Sequence, residues 1–325
     1  MICDAKGRAD VSWTCAGKRA AYARVEGQGA SAVGDVNNVY DFFGDTADAY
    51  AGYAGVDLTR LIGVDYHDGK GRALRAAVRV CPQGYEGEWL CPYGGAFWDN
   101  GDVEEFVFGA GMATDDIAGR ELTHAVISRT SKVGGAYQSA AINQGLSEAW
   151  GEIVDLTNGS KDDTPVNRWK IGEGSARGVF GDMRNPGAYG QPDKMTSDKW
   201  FGGSLFTSSD FGIDPFAVNS GVFDKAFYLV TDGDMFNGYT IVVSAWRRRR
   251  RSSGLCRTCS RRGRTTTMSS SRCRWRAGRT SVGPARTSAR TTADRSTRPS
   301  APPRWTRTPA SVRRKTSATA RPASR

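Results

Sequence analysis

The composition of this chain breaks at Trp246, and the break decides which residues are able to fold. Residues 247–325 carry 24 of the 45 Lys and Arg residues and one of the 34 acids, Asp294, for a net charge of +23, which leaves residues 1–246 at −12. The basic segment has no Ile, Phe, Tyr, Asn, Gln, Glu or His, and a single Leu, Leu255. So little apolar surface does not offset the entropy of ordering a chain, and the composition predicts disorder. One reading is an Arg-rich arm that binds nucleic acid or another polyanion by releasing counterions. The other is an out-of-frame stretch, and it is the one favoured by the abrupt join at "SAWRRRRRSSG" and the run of residues with G/C-rich codons that follows.

A chain of 325 residues with 39% apolar content and nine Trp has enough material for one large or two ordinary domains. Cys3 with Cys15, and Cys81 with Cys91 in "CPQGYEGEWLCP", are spaced for short disulfide loops and imply an oxidising compartment. Cys256, Cys259 and Cys273 fall in the basic segment, where "CRTC" has no partner pair to make a metal site. The opening "MICDAKGRADVSW" lacks the apolar stretch of a signal peptide, and no run reaches membrane-spanning length. A membrane is therefore not an expected partner, and for a secreted protein the N-terminus is expected to be incomplete.

Periodicity places the elements. "VGDVNNVYDFFGDTADAY" repeats apolar residues at Val36, Tyr40 and Phe43, a helical stripe. "ALRAAVRV" alternates Leu74, Ala76, Val78 and Val80 as a half-buried strand does, and "GGAFWDNGDVEEFVFG" reads as two strands about a Gly turn. Two helices follow. The first is capped by Asp115 or Asp116 and presents Ile117, Leu122, Ala125 and Val126 on one face. The second, from 140 to 156, is expected to turn Ile142, Leu146, Ala149, Trp150 and Ile153 inward, with Gln144, Glu148 and Asp155 on a neighbouring stripe. His67 in "VDYHDGKG" reads as a solvated turn residue.

The first of those helices contains "RELTH", residues 120–124. In the H-E-x-x-H motif, two His one turn apart hold one zinc ion and the Glu is the general base. Here Glu121 and His124 hold their places, but Arg120 stands in the first His position. A guanidinium stays protonated and only donates, so it repels a cation where imidazole would bind it.

The order "GGAFWDNG", "DDIAGRELTHAV", "SAAINQGLSEAWGEIVDLTNG", "RWKIGEG", "GDMRNPGAYGQPDKM" and "VNSGVFDKAFYLVTDGDMFNGYT" resembles the thermolysin family of secreted bacterial zinc metalloendopeptidases over residues 2 to 241. The resemblance implies an α+β fold. Residues 1–130 would form a β-rich N-terminal domain that includes the motif helix. Residues 131–246 would form part of a mainly helical C-terminal domain, whose last helices would belong where the basic segment stands. It also implies an extracellular, monomeric protein that cleaves peptide or protein substrates on the N-terminal side of large apolar residues, with zinc as cofactor.

Carried over residue by residue, the resemblance makes Glu121 the general base and His124 the second zinc ligand, with Arg120 and Gln144 in the first and third ligand positions. Glu148 takes the place of the Asp that supports the first ligand. Ala217 stands where a His would stabilise the transition state. Gly95 and Gly181 occupy substrate-binding positions, and Gly135, with Tyr137 nearby, that of an active-site Tyr. Asp116, Asp155 and Glu173 match calcium ligands, whereas Arg168 and Lys170 replace acids, so one calcium site is expected rather than a pair. Losing two of three zinc ligands and one oxyanion donor predicts an inactive copy. The alternatives are a peptide-binding pseudoenzyme and a polyanion binder acting through the basic segment. Arg120 has two open placements. It either fills the metal position and pairs with Glu121 and Glu148, or it points into a solvated cleft.

Overall fold

The computed structural model describes residues 1–9, 14–16, 20–84, 86–101, 103–134, 137–161, 164–202 and 215–243. The basic segment after Trp246, with Cys256, Cys259 and Cys273, lies outside the described residues, as does Gly135. The described residues all belong to one contact unit, Met1–Arg257.

Five strands form the main sheet. They are β1 (Ile2–Asp4), β2 (Tyr22–Arg24), β3 (Ala76–Val78), β4 (Ala96–Asn100) and β5 (Glu104–Phe108), in the order β2-β1-β3-β5-β4. β1, β3 and β5 run parallel, while β2 and β4 are antiparallel to their neighbours and form the two edges. The β4/β5 hairpin expected from the Gly turn is present, with Ala96 opposite Phe108 and Asn100 opposite Glu104. β3 departs from its expected alternation, since Ala76, Ala77 and Val78 are all buried. The sheet is covered on both faces, which is the usual state of parallel strands. One face packs Phe106, Phe108 and Val78 against helices, and the other gathers Ala5, Ala77, Val80 and Val107. Disulfides join Cys3 to Cys15 and Cys81 to Cys91 as the spacing predicts.

Helix α1 (Gly34–Ala54) lays Val36, Val39, Phe43 and Tyr50 on the first face and is closed by Gly55 at φ 67°, a left-handed conformation that costs glycine nothing. A short helix, α2, spans Leu58–Ile62. Helix α3 (Asp115–Arg129) adds Ile117, Leu122 and Ala125 to the same core. Its N-cap position belongs to Thr114 rather than to Asp115 or Asp116, which sit in the first turn near the positive end of the helix dipole. The polar turn at His67 also holds a buried ion pair, because Asp68 accepts from Arg75 Nη1 at 2.7 Å with both side chains nearly inaccessible.

Helix α4 (Tyr137–Asn158) crosses α3, and α5 (Ser220–Asp232) packs on α4. A second core forms here from Ala149, Trp169, Ile171, Met183, Tyr228 and Leu229, with the two-stranded pair β6 (Lys170–Ile171) and β7 (Gly181–Asp182) beside it. A last hairpin joins β8 (Asp234–Phe236) to β9 (Tyr239–Ile241). Ile142 was expected inward on α4 but is 47% exposed. The helix is gripped on two sides, by α3 and by α5, and its most buried stripe is polar, with Ser147, Glu148, Glu152 and Asp155. Among the described residues no helix is long and apolar enough to cross a membrane.

Two glycines set the α3/α4 distance. A Cβ on Gly151 would stand 2.4 Å from the Asp116 carbonyl oxygen, and one on Gly119 would stand 3.0 Å from Gly151 Cα. In an exposed helix, Gly to Ala stabilises by about 1 kcal/mol. Here the sign reverses. Gly151→Ala is expected to lower the unfolding free energy by about 1–3 kcal/mol, the range for overpacking a close contact, in a urea titration. An unchanged or raised midpoint would contradict the close crossing.

Candidate active site

Helical spacing puts Arg120 and His124 one turn apart on α3, with Glu121 beside Arg120. Arg120 Nη2 and Glu121 Oε1 form an ion pair at 2.6 Å, with the Arg side chain 16% exposed and the Glu side chain 3% exposed. Burial alone would lower the guanidinium pKa. The surrounding carboxylates, Glu121 first and then Glu148 and Asp116, reverse that and hold it above its ordinary value. The guanidinium also lies 5.9 Å from the Phe180 ring centroid. Of the two placements open in the sequence, the pair with Glu121 forms. Glu148 acts on Arg120 through charge only, since its Oε1 accepts instead from Gln144 Nε2 at 2.7 Å.

His124 is fixed from behind by α4. Its Nδ1 lies 2.6 Å from Asn143 Oδ1 and 3.1 Å from Ser147 Oγ. Asn143 Nδ2 donates to the Val133 carbonyl at 2.9 Å, which turns the amide oxygen toward the ring and assigns the ring proton to Nδ1. Nε2 then keeps a lone pair. Burial lowers the His124 pKa, with smaller opposed contributions from Glu121 and Arg120, so the ring is neutral near pH 7. Behind Gln144, the fully buried Asp224 sits against Glu148. Burial and then the Glu148 charge push Asp224 far above the usual carboxylate range, which keeps it protonated.

These side chains open on a cavity of about 520 Å³ whose walls include Phe97, Trp98, Arg120, Glu121, His124 and Gln144. One wall is strand β4, an edge of the sheet. Tested as a zinc site, the donor set fails. Arg120 offers no lone pair and a positive charge, and Gln144 offers a neutral amide oxygen in place of a carboxylate, which leaves His124 alone with a nitrogen suited to the metal.

A second polar cluster lies at the start of α3. Asp116, Glu152, Asp155 and Glu173 are all buried, and Gly172 N–H donates to Asp116 Oδ2 at 2.6 Å. Burial pushes Asp116 up to about 6, opposed by the Thr114 and Gly172 hydrogen bonds. Glu152 is driven well above its ordinary range by burial first and then by Asp155, Asp116 and Glu173. Neither of its carboxylate oxygens has a hydrogen-bond partner. Arg168, whose charge acts on it in the opposite sense, is engaged by Asp232 at 2.8 Å. Among the described residues no three His, Cys, Asp or Glu side chains have already closed to metal-holding geometry.

Residues 134–252 match the family described as thermolysin metallopeptidase, alpha-helical domain. A zinc metalloproteinase of Renibacterium salmoninarum is 43% identical over 252 residues, which cover 74% of this chain and 45% of that protein. The chain is similar to the thermolysin family, whose alpha-helical domain it matches over residues 134–252. A thermolysin of Alicyclobacillus acidocaldarius is 30% identical over 215 residues, 62% of this chain and 35% of that protein. The precursor of protealysin, a metalloproteinase from Serratia proteamaculans, aligns over 70% of this chain and 67% of its own with 24% identity and a TM-score of 0.47. The chain thus spans less than half the length of these curated relatives.

Within this chain, Arg120, Glu121, His124 and Gln144 share one cavity wall, and Asp116, Asp155 and Glu173 share one cluster. Gly95, Gly181 and Ala217 are not part of the cavity lining. A Cβ on Gly95 would stand 2.7 Å from the Tyr93 ring, so that ring fills the space a side chain there would need. On Gly181, in β7, it would meet Ile171 at 3.1 Å. Ala217 is half-buried in the 3-10 turn Pro215–Asn219. Asn143, Ser147, Glu152 and Asp224 were not singled out from the sequence. Glu152 was legible there, one turn after Glu148 and three residues before Asp155 on the acidic stripe of α4.

Arg120→Ala would leave Glu121 buried without its partner. The expected loss is about 2–3 kcal/mol in chemical denaturation, below the full range for a buried pair because the Arg is partly exposed. A variant as stable as the parent chain would show that the pair holds nothing together.

Proposed function

We propose that this chain is a non-hydrolytic member of the thermolysin family that keeps an extracellular cleft for apolar peptides. The observation that carries this reading is the Arg120–Glu121 ion pair at 2.6 Å. It sets a permanent cation where the motif needs a metal ligand and engages the one carboxylate available as a general base. Glu121, His124 and Gln144 correspond to the family's base and zinc-ligand positions, and Ala217 to that of its transition-state His. A methyl group there donates no hydrogen bond to an oxyanion. The metal's chemistry, polarising a carbonyl and acidifying water, finds no donor set among these side chains.

What supports binding is the wall that β4 contributes to the same cavity. Ala96, Phe97 and Trp98 of the edge strand β4 line the cavity. An edge strand offers unpaired backbone N–H and C=O groups to an extended peptide, and Phe97 and Val133 add apolar surface for its side chains. The two disulfides support an extracellular setting.

The purified chain is expected to cleave no apolar-blocked peptide above background and to take up no zinc in a calorimetric titration at micromolar concentration. R120H/Q144E restores two donors beside His124, and zinc uptake is expected to return with it. Hydrolysis by the unaltered chain that a chelator abolishes would overturn the reading.

The buried carboxyls Asp116, Glu152, Asp155 and Glu173 fit one hard cation, and calcium is the ion we assign to them. Each is an oxygen donor, all four are buried, and they act on one another through their charges. Millimolar calcium is expected to raise Tm by several degrees, and Glu152→Gln to reduce that gain. A calcium-independent Tm would remove the assignment.

A further inference from the structure

Resting on the peptide-cleft reading, we propose that the cleft captures peptides by a free C-terminal carboxylate, which the Arg120 guanidinium receives. The guanidinium carries donors on three nitrogens in one plane, matched in geometry to a carboxylate. Glu121 lies 2.6 Å from Nη2, and among the described residues it is the one ion-pair partner Arg120 has. The side chain retains 16% exposure and lines the cavity, so part of that plane faces the space a ligand would fill.

The charges around the cavity favour an anion. Arg120 and Lys132 line it with a single acid, Glu121, and His124 adds no charge while neutral. The lining is therefore net positive by one charge, and a ligand carboxylate reaches Arg120 by sharing its guanidinium with Glu121. A peptide lying along β4 with its C-terminus toward α3 would set its side chains against Phe97 and its carboxylate at the guanidinium. An internal peptide carbonyl in the same position is neutral and makes the weaker bond, since charge-assisted hydrogen bonds are roughly twice as strong as neutral ones. The site thus selects ends of chains over their interiors, and products of proteolysis over intact substrates.

The probe is the N-acetylated tripeptide of Leu, Phe and Ala as its free acid, compared with its C-terminal amide, titrated into the full chain by calorimetry. The free acid is expected to bind about 10-fold more tightly. R120Q should remove the difference, and E121Q, which frees the guanidinium from its competitor, should widen it. If R120Q does not fold by circular dichroism, E121Q decides, and an unchanged ratio overturns the assignment. Equal binding of acid and amide overturns it while leaving the peptide cleft standing. A preference that survives R120Q places the carboxylate elsewhere on this basic chain and overturns it too. Binding of neither peptide overturns both readings.

Discussion

The approach of α3 to α4 at Gly119 and Gly151 is the constraint on which both polar sites depend. With no Cβ between them, the two helices come close enough for Asn143 and Ser147 of α4 to reach the His124 ring on α3. The same crossing brings Glu152 and Asp155 against Asp116. An alanine pair here would hold the helices apart by a sizeable fraction of an ångström, and hydrogen bonds of 2.6 to 3.1 Å do not tolerate that. The sheet and α1 supply the platform beneath, where Tyr50 stacks on Trp150 with ring centroids 4.0 Å apart and bonds to Thr123 at 2.8 Å. One short contact thus fixes which side chains of two helices meet.

The interior built on that contact is unusually charged, and its parts are balanced differently. Arg120 is neutralised by its sequence neighbour Glu121. Asp224 is neutralised by a proton, since burial beside Glu148 leaves it no favourable ionised state. Glu152 is buried among Asp116, Asp155 and Glu173, and burial with those charges drives it well above its ordinary range. Burying a carboxylate without compensation costs several kcal/mol, and an ion pair and a bound proton are two ways of avoiding that cost within a few turns of helix.

Much of this was legible in the sequence, for definable reasons. α1, α3, α4 and the β4/β5 hairpin have strong periodicity or an explicit turn signal, and they appear close to where those signals put them. Glu121 and His124 were legible because a helical motif fixes their spacing in one element. What escaped was set by packing between elements. Ile142 was assigned inward from its period, yet α4 buries a polar stripe because it is enclosed by α3 and α5. Glu148 was paired with Arg120 on charge alone, whereas Gln144, one turn away on the same helix, reaches it first. Asp224 lies far from Glu148 in the chain, and no local pattern announces that they meet.

The parallel pairing of β1 carries a consequence for how the chain acquires its structure. Ile2 aligns with Ala76 and not with a strand nearby in sequence on that side, and β3 in turn waits for β5. β1 is therefore flanked on one side by a partner synthesised more than seventy residues later. Closing so long a loop is entropically uphill until the helix-covered face of the sheet is in place, which makes this a topology of high contact order. Local helices such as α1 form early, and the sheet that organises them is completed late.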